Sequence, residues 1–177
     1  MQKTSSLIVK LRGLFLALLF IAAIFLTVGL LKKHGYAITY AVTVSMPKGW
    51  YLIVSPEKIA RHDIVQFKPP EQALNFLHKE HLIPRSDLLL KYVVGLPDDF
   101  VCNKNGVILV SQKKFGTVYQ FDSKGIKLPK SSFCGKLGHD QYLLLSDRVK
   151  NSFDGRYFGP IYKKDIIGRA VLLLKRD

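Results

Sequence analysis

The sequence predicts a mainly β protein: a single N-terminal transmembrane helix followed by an antiparallel β-sandwich or partly open barrel. Three observations predict it. One apolar run near the N-terminus is long enough to cross a bilayer. Beyond it, apolar residues recur in short runs, several of them alternating with polar ones. Gly, Pro and Asn-Gly turn signals punctuate those runs, with only one short stretch of helical spacing.

Residues 7–31 are almost wholly Leu, Ile, Ala, Phe and Val, with an uninterrupted core at 13–31. At 1.5 Å rise per residue, about 19–20 apolar residues span the hydrocarbon of a bilayer. Lys10 and Arg12 flank the run on one side, Lys32 and Lys33 on the other. A cleaved secretory signal has a shorter apolar region followed by a small-residue site. Here the run ends in Leu30-Leu31-Lys32-Lys33, which predicts a retained anchor. Lys3, Lys10, Arg12 and the α-amino group precede the span, so the positive-inside rule favours a cytoplasmic N-terminus by a narrow margin. The expected division is residues 1–34, tail and anchor, and residues 35–177, a domain on the periplasmic side of the inner membrane, with the lipid bilayer as a partner.

Residues 34–44 alternate, with Tyr36, Ile38, Tyr40, Val42 and Val44 on one side of a strand. Ser45 ends it. Pro47 and Gly49 force a turn, because Pro fixes φ and Gly permits positive φ. Residues 50–54 resume as a strand, in which Trp50 and Tyr51 suit either a membrane interface or the core. Residues 62–67 form the next strand, stopped by Lys68-Pro69-Pro70. Residues 71–81 have helical spacing, with Leu74, Leu77 and His81 on one face, and Pro84 ends the segment. Residues 88–95 read as a strand that is apolar on both faces except at Lys91. Leu96-Pro97-Asp98-Asp99 turns the chain. Residues 100–102 and 107–110 pair through the hairpin turn Asn103-Lys104-Asn105-Gly106. Residues 112–134 are a polar, Lys-rich excursion with hairpins, residues 142–145 a buried strand, and residues 146–159 a polar loop. Ile161 and residues 166–174 give a last strand pair or one bent strand.

The net charge is +14, from 27 basic and 13 acidic residues. Residues 1–34 hold five of the basic residues and no acidic one, which leaves 22 against 13 for the rest. A basic domain is compatible with nucleic acid, but there is no helix-turn-helix pattern, zinc spacing or basic helix, so no nucleic-acid partner is expected. Attraction to anionic headgroups, or plain solvated charge, accounts for the balance. His78 and His81 stand three apart without a third ligand, the pattern of surface histidines; neither metal nor cofactor is expected. Cys102 and Cys134 are the only cysteines. In an exported domain they form one disulfide across the polar excursion or remain two buried thiols.

Lys91 is the chemical anomaly. A lysine inside Leu-Leu-Leu-Lys-Tyr-Val-Val either guards an edge strand or is buried. If buried, desolvation disfavours its ammonium form and lowers its pKa. A neutral amine can then take the proton of a nearby hydroxyl. A serine hydroxyl is a poor nucleophile until a base does so, and Ser45 sits in a turn just beyond the anchor.

Ser45-Met46-Pro47, Asp63-Ile64-Val65-Gln66-Phe67, the run from Lys91 to Asp99, and Asn151-Ser152-Phe153-Asp154-Gly155-Arg156-Tyr157-Phe158-Gly159-Pro160 occur in the order of the characteristic boxes of type I signal peptidases. The chain resembles that family over most of residues 43–174. With one anchor and Ser-Met-Pro-x-Gly-x-Tyr it is most similar to the TraF-type peptidases of conjugative transfer. The resemblance implies a Ser/Lys dyad, with Ser45 as acylating nucleophile and Lys91 as general base. It implies an oxyanion hole from the Thr43 hydroxyl and the Ser45 N–H, a Ser152 hydroxyl that orients the amine, and an Asp154–Arg156 pair that holds the loop. The substrates it implies are pro-pilin or other exported precursors. Three departures favour a specialised enzyme. Ser146-Asp147-Arg148-Val149 replaces Gly-Asp-Asn-Arg, Asp98 replaces the glycine of Gly-Leu-Pro-Gly-Asp, and Pro47-Lys48 replaces Pro-Thr. The rival from another class is a non-catalytic, membrane-anchored assembly factor of a transfer apparatus. A self-cleaving regulator would carry a DNA-binding domain in place of the bilayer span.

Overall fold

The computed structural model describes residues 2–83, 87–146, 149–150 and 152–176, with side chains from Arg12 onward in the first helix. Pro84 lies outside the described residues. The chain forms two compact units, residues 1–37 and 38–177.

The first unit is helix α1 (Gln2–Lys33). Its segment Arg12–Lys33 has 22 residues, a mean hydropathy of 2.9 and no buried share, which by length and composition is enough to cross a membrane. Leu and Ala favour the helix, and Lys32 and Lys33 in the last turn suit the negative end of its dipole. Gly35, at φ 79°, terminates it. The Tyr36 N–H donates to the Leu31 carbonyl and the Gly35 N–H to the Lys32 carbonyl, a paired closure that needs a residue tolerant of positive φ.

In the second unit a seven-stranded sheet has the order β1-β2-β11-β3-β4-β9-β10, and a four-stranded sheet the order β7-β6-β5-β8. The strands of the large sheet are β1 (Ala37–Ala41), β2 (Gly49–Val54), β3 (Ile64–Phe67), β4 (Leu89–Gly95), β9 (Gln141–Leu145), β10 (Ile161–Tyr162) and β11 (Ile166–Lys175). The smaller sheet holds β5 (Phe100–Lys104), β6 (Val107–Val110), β7 (Lys113–Thr117) and β8 (Cys134–Lys136). Every pair with a described register is antiparallel. The expected mainly β, antiparallel class therefore holds.

Strands β4 and β9 are covered on both faces, which is why they read as nearly continuous apolar runs. Val93 and Leu144 pack with Val65, Phe67 and Ile161. Their neighbours Val94, Leu143 and Leu145 pack with Val101, Ile108, Val110 and Leu137 of the smaller-sheet side. A third cluster joins Ala41, Met46, Tyr51, Ile53 and Ala170, with Ile64, Leu90 and Tyr92 against it. It brings together residues from β1 to β4, so that part of the sheet is curled.

Several local expectations shift. Helix α2 (Glu71–Lys79) buries Ala73 and Leu77, not the face through Leu74 and His81. His81 lies past the helix end at φ 52°. Residues 146–159 contain a further helix, α3 (Gly155–Phe158), too short to leave a periodic signal. The Asp154 carboxylate caps it by accepting from the Arg156 N–H. Gly155 is required by close approach: a Cβ there would sit 2.9 Å from both the Leu144 carbonyl oxygen and a Leu143 methyl. Tyr51 is fully buried while Trp50 is half exposed, its ring against Tyr40. Residues 166–175 are one strand, with register shifts at both ends. Cys102 and Cys134 face each other across β5 and β8 and are joined as a disulfide.

The Leu96-Pro97-Asp98-Asp99 turn closes with the Asp99 N–H donating to the Leu96 carbonyl. Asp98 holds φ 72° there, the left-handed region that costs an L-residue about 1 kcal/mol. Its carboxylate meets Lys136 Nζ at 2.8 Å, but both side chains are exposed and the pair is screened. Asp98→Gly is expected to stabilise the protein by about 0.5–1 kcal/mol, measured by urea unfolding; a destabilised variant contradicts this account of the turn.

Candidate active site

Ser45 lies in the loop between β1 and β2. Met46, immediately after it, is buried in the third core cluster and pins the turn. The Tyr51 hydroxyl donates to the Pro47 carbonyl at 2.8 Å, which fixes the next residue too. The Ser45 carbonyl accepts from the buried Ser146 hydroxyl at the end of β9. Backbone is thus held on both sides of the Ser45 side chain.

Lys91 sits in the middle of β4, opposite Val65 of β3, and is 4% exposed. Its Nζ lies 2.8 Å from Ser45 Oγ. Thr43 Oγ1 lies 3.0 Å from the same oxygen. Burial strips water from the amine and lowers its pKa from 10.5 to about 8; the Asp154 carboxylate opposes that shift and the Arg156 guanidinium adds to it. An amine in this state is a proton acceptor for the hydroxyl it touches.

Behind the pair stands a buried ionic scaffold. Arg156 Nε and Nη2 donate to Asp154 Oδ1 and Oδ2 at 2.8 and 2.7 Å. Asp154 Oδ2 also accepts from the Ser146 N–H at 3.0 Å, and Arg156 Nη2 donates to the Ser146 carbonyl at 3.0 Å. Burial alone would lower the Arg156 pKa, but its bonds to Asp154 outweigh that and raise it. Both peptide groups of Ser146 are therefore fixed, and its hydroxyl is aimed at the Ser45 carbonyl.

Ser45 and Lys91 line a cleft of about 350 Å³. Leu77 of α2 and Phe153 form apolar wall, and Asp122, Lys124 and Leu128 of the excursion form the rim. The Asp122 carboxylate shapes that rim by accepting from the N–H groups of Lys124 and Ile126, both at 2.8 Å. Among the described residues no cluster of His, Cys, Asp and Glu could hold a metal ion.

The family model for signal peptidase, peptidase S26, matches residues 11–174. The chain belongs to the peptidase S26 signal peptidase family. It is 32% identical over 124 residues to a probable signal peptidase I-2 of Synechocystis, covering 68% of this chain and 49% of that one. It is 31% identical over 149 residues to the plasmid transfer protein TraF of Escherichia coli, covering 77% of this chain and 83% of that one. A crystal structure of a signal peptidase I from Enterococcus faecalis V583 overlaps at TM-score 0.39 and 20% identity, covering 68% of this chain and all of that one. The chain spans about half the length of the Synechocystis relative.

Within this peptidase S26 chain, Thr43, Ser45, Lys91, Asp154 and Arg156 are brought into one neighbourhood. Ser152 departs from expectation. It is buried in the cleft wall, yet among the described residues its hydroxyl has no hydrogen-bond partner and so does not bond the Lys91 amine. The Ser152 N–H donates to the Val149 carbonyl. Cys102 and Cys134 lie in the smaller sheet and not among the cleft residues. Asp147, Arg148 and Asn151 lie outside the described residues. The residue that sequence reasoning missed is Ser146; its signal was the serine standing where the family pattern has glycine.

Lys91 also makes a prediction about stability. Its folded pKa of about 8 lies below the unfolded 10.5. Between those values the unfolded chain binds a proton that the folded chain does not, so stability from this group rises with pH across that window. Below it, the folded protein holds a desolvated charge at a cost of about 3 kcal/mol. Lys91→Met is therefore expected to unfold at higher temperature than wild type near pH 7, with the gain shrinking towards pH 10. A variant less stable at pH 7 contradicts the buried, depressed amine.

Proposed function

We propose that the chain is a membrane-anchored serine endopeptidase that removes leader sequences from exported precursor proteins through a Ser45/Lys91 dyad. The observation that carries this is the 2.8 Å approach of a buried amine, lowered to about 8, to the Ser45 hydroxyl. The anchor is the Arg12–Lys33 segment, and the domain that follows it faces the periplasm. The likeness to a plasmid transfer protein supports specialisation in conjugation, with pilin-type precursors as substrates.

In this reading the neutral Lys91 amine accepts the Ser45 proton as Oγ attacks the scissile carbonyl. The oxygen of that carbonyl gains negative charge, and the Thr43 hydroxyl and Ser45 N–H stabilise it. Lys91 then gives its proton to the departing amine of the new N-terminus, which leaves an acyl-enzyme on Ser45. The same amine takes a proton from water, and the resulting attack releases the leader and restores the serine. Asp154, Arg156 and Ser146 position the Ser45 backbone without touching substrate.

Cleavage of a membrane-embedded precursor by the full chain tests the dyad. Ser45→Ala and Lys91→Ala are each expected to lower kcat/KM by at least about 10³-fold while the fold persists. Precursor cleavage retained by either variant would rule the dyad out. With wild type, the rate should rise about tenfold per pH unit below the Lys91 pKa of about 8 and level off above it, since only the neutral amine accepts the proton. A flat profile through that range contradicts lysine as base.

A further inference from the structure

Beside the cleft lies a smaller pocket of about 170 Å³. Thr43, Leu89 and Lys91 border both, so the two form one depression. Ala41 of β1 stands on one side of the smaller pocket and Leu90 of β4 on the other. Gln66 of β3 also lines it, opposite Leu90 in register. Its strand neighbours Val65 and Phe67 are completely buried apolar residues. Gln66 is 8% exposed and its carboxamide is not among the fully buried unpaired groups, so it reaches the open space of the pocket. A carboxamide facing such a pocket can bond water, and a ligand that displaces the water must replace the bond or lose it. A substrate side chain can make that replacement, since the pocket opens beside the reacting pair.

We infer that Gln66 is a specificity residue whose carboxamide hydrogen-bonds a small uncharged polar side chain of the substrate, with serine and threonine the fitting ones. The inference rests on the proteolytic reading above and names the substrate feature that its cleft selects. An apolar isostere of the same size fills the pocket but leaves the amide unpaired. An acidic side chain is disfavoured for a separate reason. Placed next to Lys91, it would stabilise the ammonium form and remove the proton acceptor. A basic side chain would stand against the same amine. The carboxamide offers both a donor and an acceptor, so a hydroxyl can pair with it in either sense.

The test uses the full-length protein in detergent micelles and internally quenched peptides carrying a small-residue cleavage site. Threonine and valine, which share one shape, are compared at each of the four positions before the cleaved bond. At one of these positions wild type is expected to cleave the threonine peptide with about tenfold higher kcat/KM than the valine peptide. In Gln66→Leu and in Gln66→Met the ratio should fall to about one or invert. Because the readout is a ratio within one preparation, partial loss of folded protein cancels. An active wild type with no threonine preference at any position overturns the inference and leaves the proteolytic reading standing. A preference that persists in both variants does the same. Wild type that cleaves no better than Ser45→Ala overturns the proteolytic reading and this inference with it. Binding without turnover gives an independent readout. In Ser45→Ala, the threonine peptide should shift the side-chain amide resonances of Gln66 and the valine peptide should not.

Discussion

The contact between Lys91 Nζ and Ser45 Oγ is the constraint on which the rest of this domain depends. Ser45 follows β1 at one end of the large sheet, and Lys91 lies on the fifth strand across. In a flat sheet, four strand spacings would hold them about 19 Å apart. They meet because the strands from β1 to β4 curl around the cluster of Ala41, Met46, Tyr51, Ile53 and Ala170. A sheet that stayed open would leave the amine and the hydroxyl out of reach of each other. The same curl covers Lys91, so that proximity and desolvation arise from one packing event.

The second constraint is directional. Apolar packing can bury Met46, but it does not set the angle at which a carbonyl leaves the turn. Here the angle is set by a relay in which Arg156 and Asp154 clamp the peptide groups of Ser146, and Ser146 bonds the Ser45 carbonyl. Burying an ion pair is costly in desolvation, and a well-packed apolar pair is often as stable. What the ionic pair supplies is a fixed set of donors and acceptors in a place where water cannot improvise them. Its removal from one side alone leaves an unpaired buried charge, typically worth about 3–5 kcal/mol. The pair also bears on Lys91 directly, with Asp154 favouring the ammonium and Arg156 opposing it.

Much of this was legible in the chain. The apolar runs of β4 and β9 announced central strands, and Asn103-Lys104-Asn105-Gly106 announced a hairpin. Lys91 was conspicuous as a charge among leucines and valines, and the serine turn beyond the anchor gave it a partner. What stayed hidden was set by contacts distant in sequence. Ser146 bonds a carbonyl 101 residues away, which no local pattern records. Residues 122–128 read only as polar excursion, because their place on the cleft rim is decided by tertiary packing. Helix α3 is too short for periodicity, and the buried face of α2 falls one residue from the expected one because tertiary packing sets it. Ser152 was placed by likeness to a family motif, and among the described residues its hydroxyl makes no bond to the amine.

The bridge between Cys102 and Cys134 spans 32 positions, and residues 122–128 lie inside the loop it closes. Closing a loop of that length removes unfolded-state freedom worth about 4 kcal/mol in the chain-entropy picture. The rim of the cleft is therefore tethered by a covalent link that a reducing environment would sever. Thiol conditions therefore set how firmly that edge of the cleft is held.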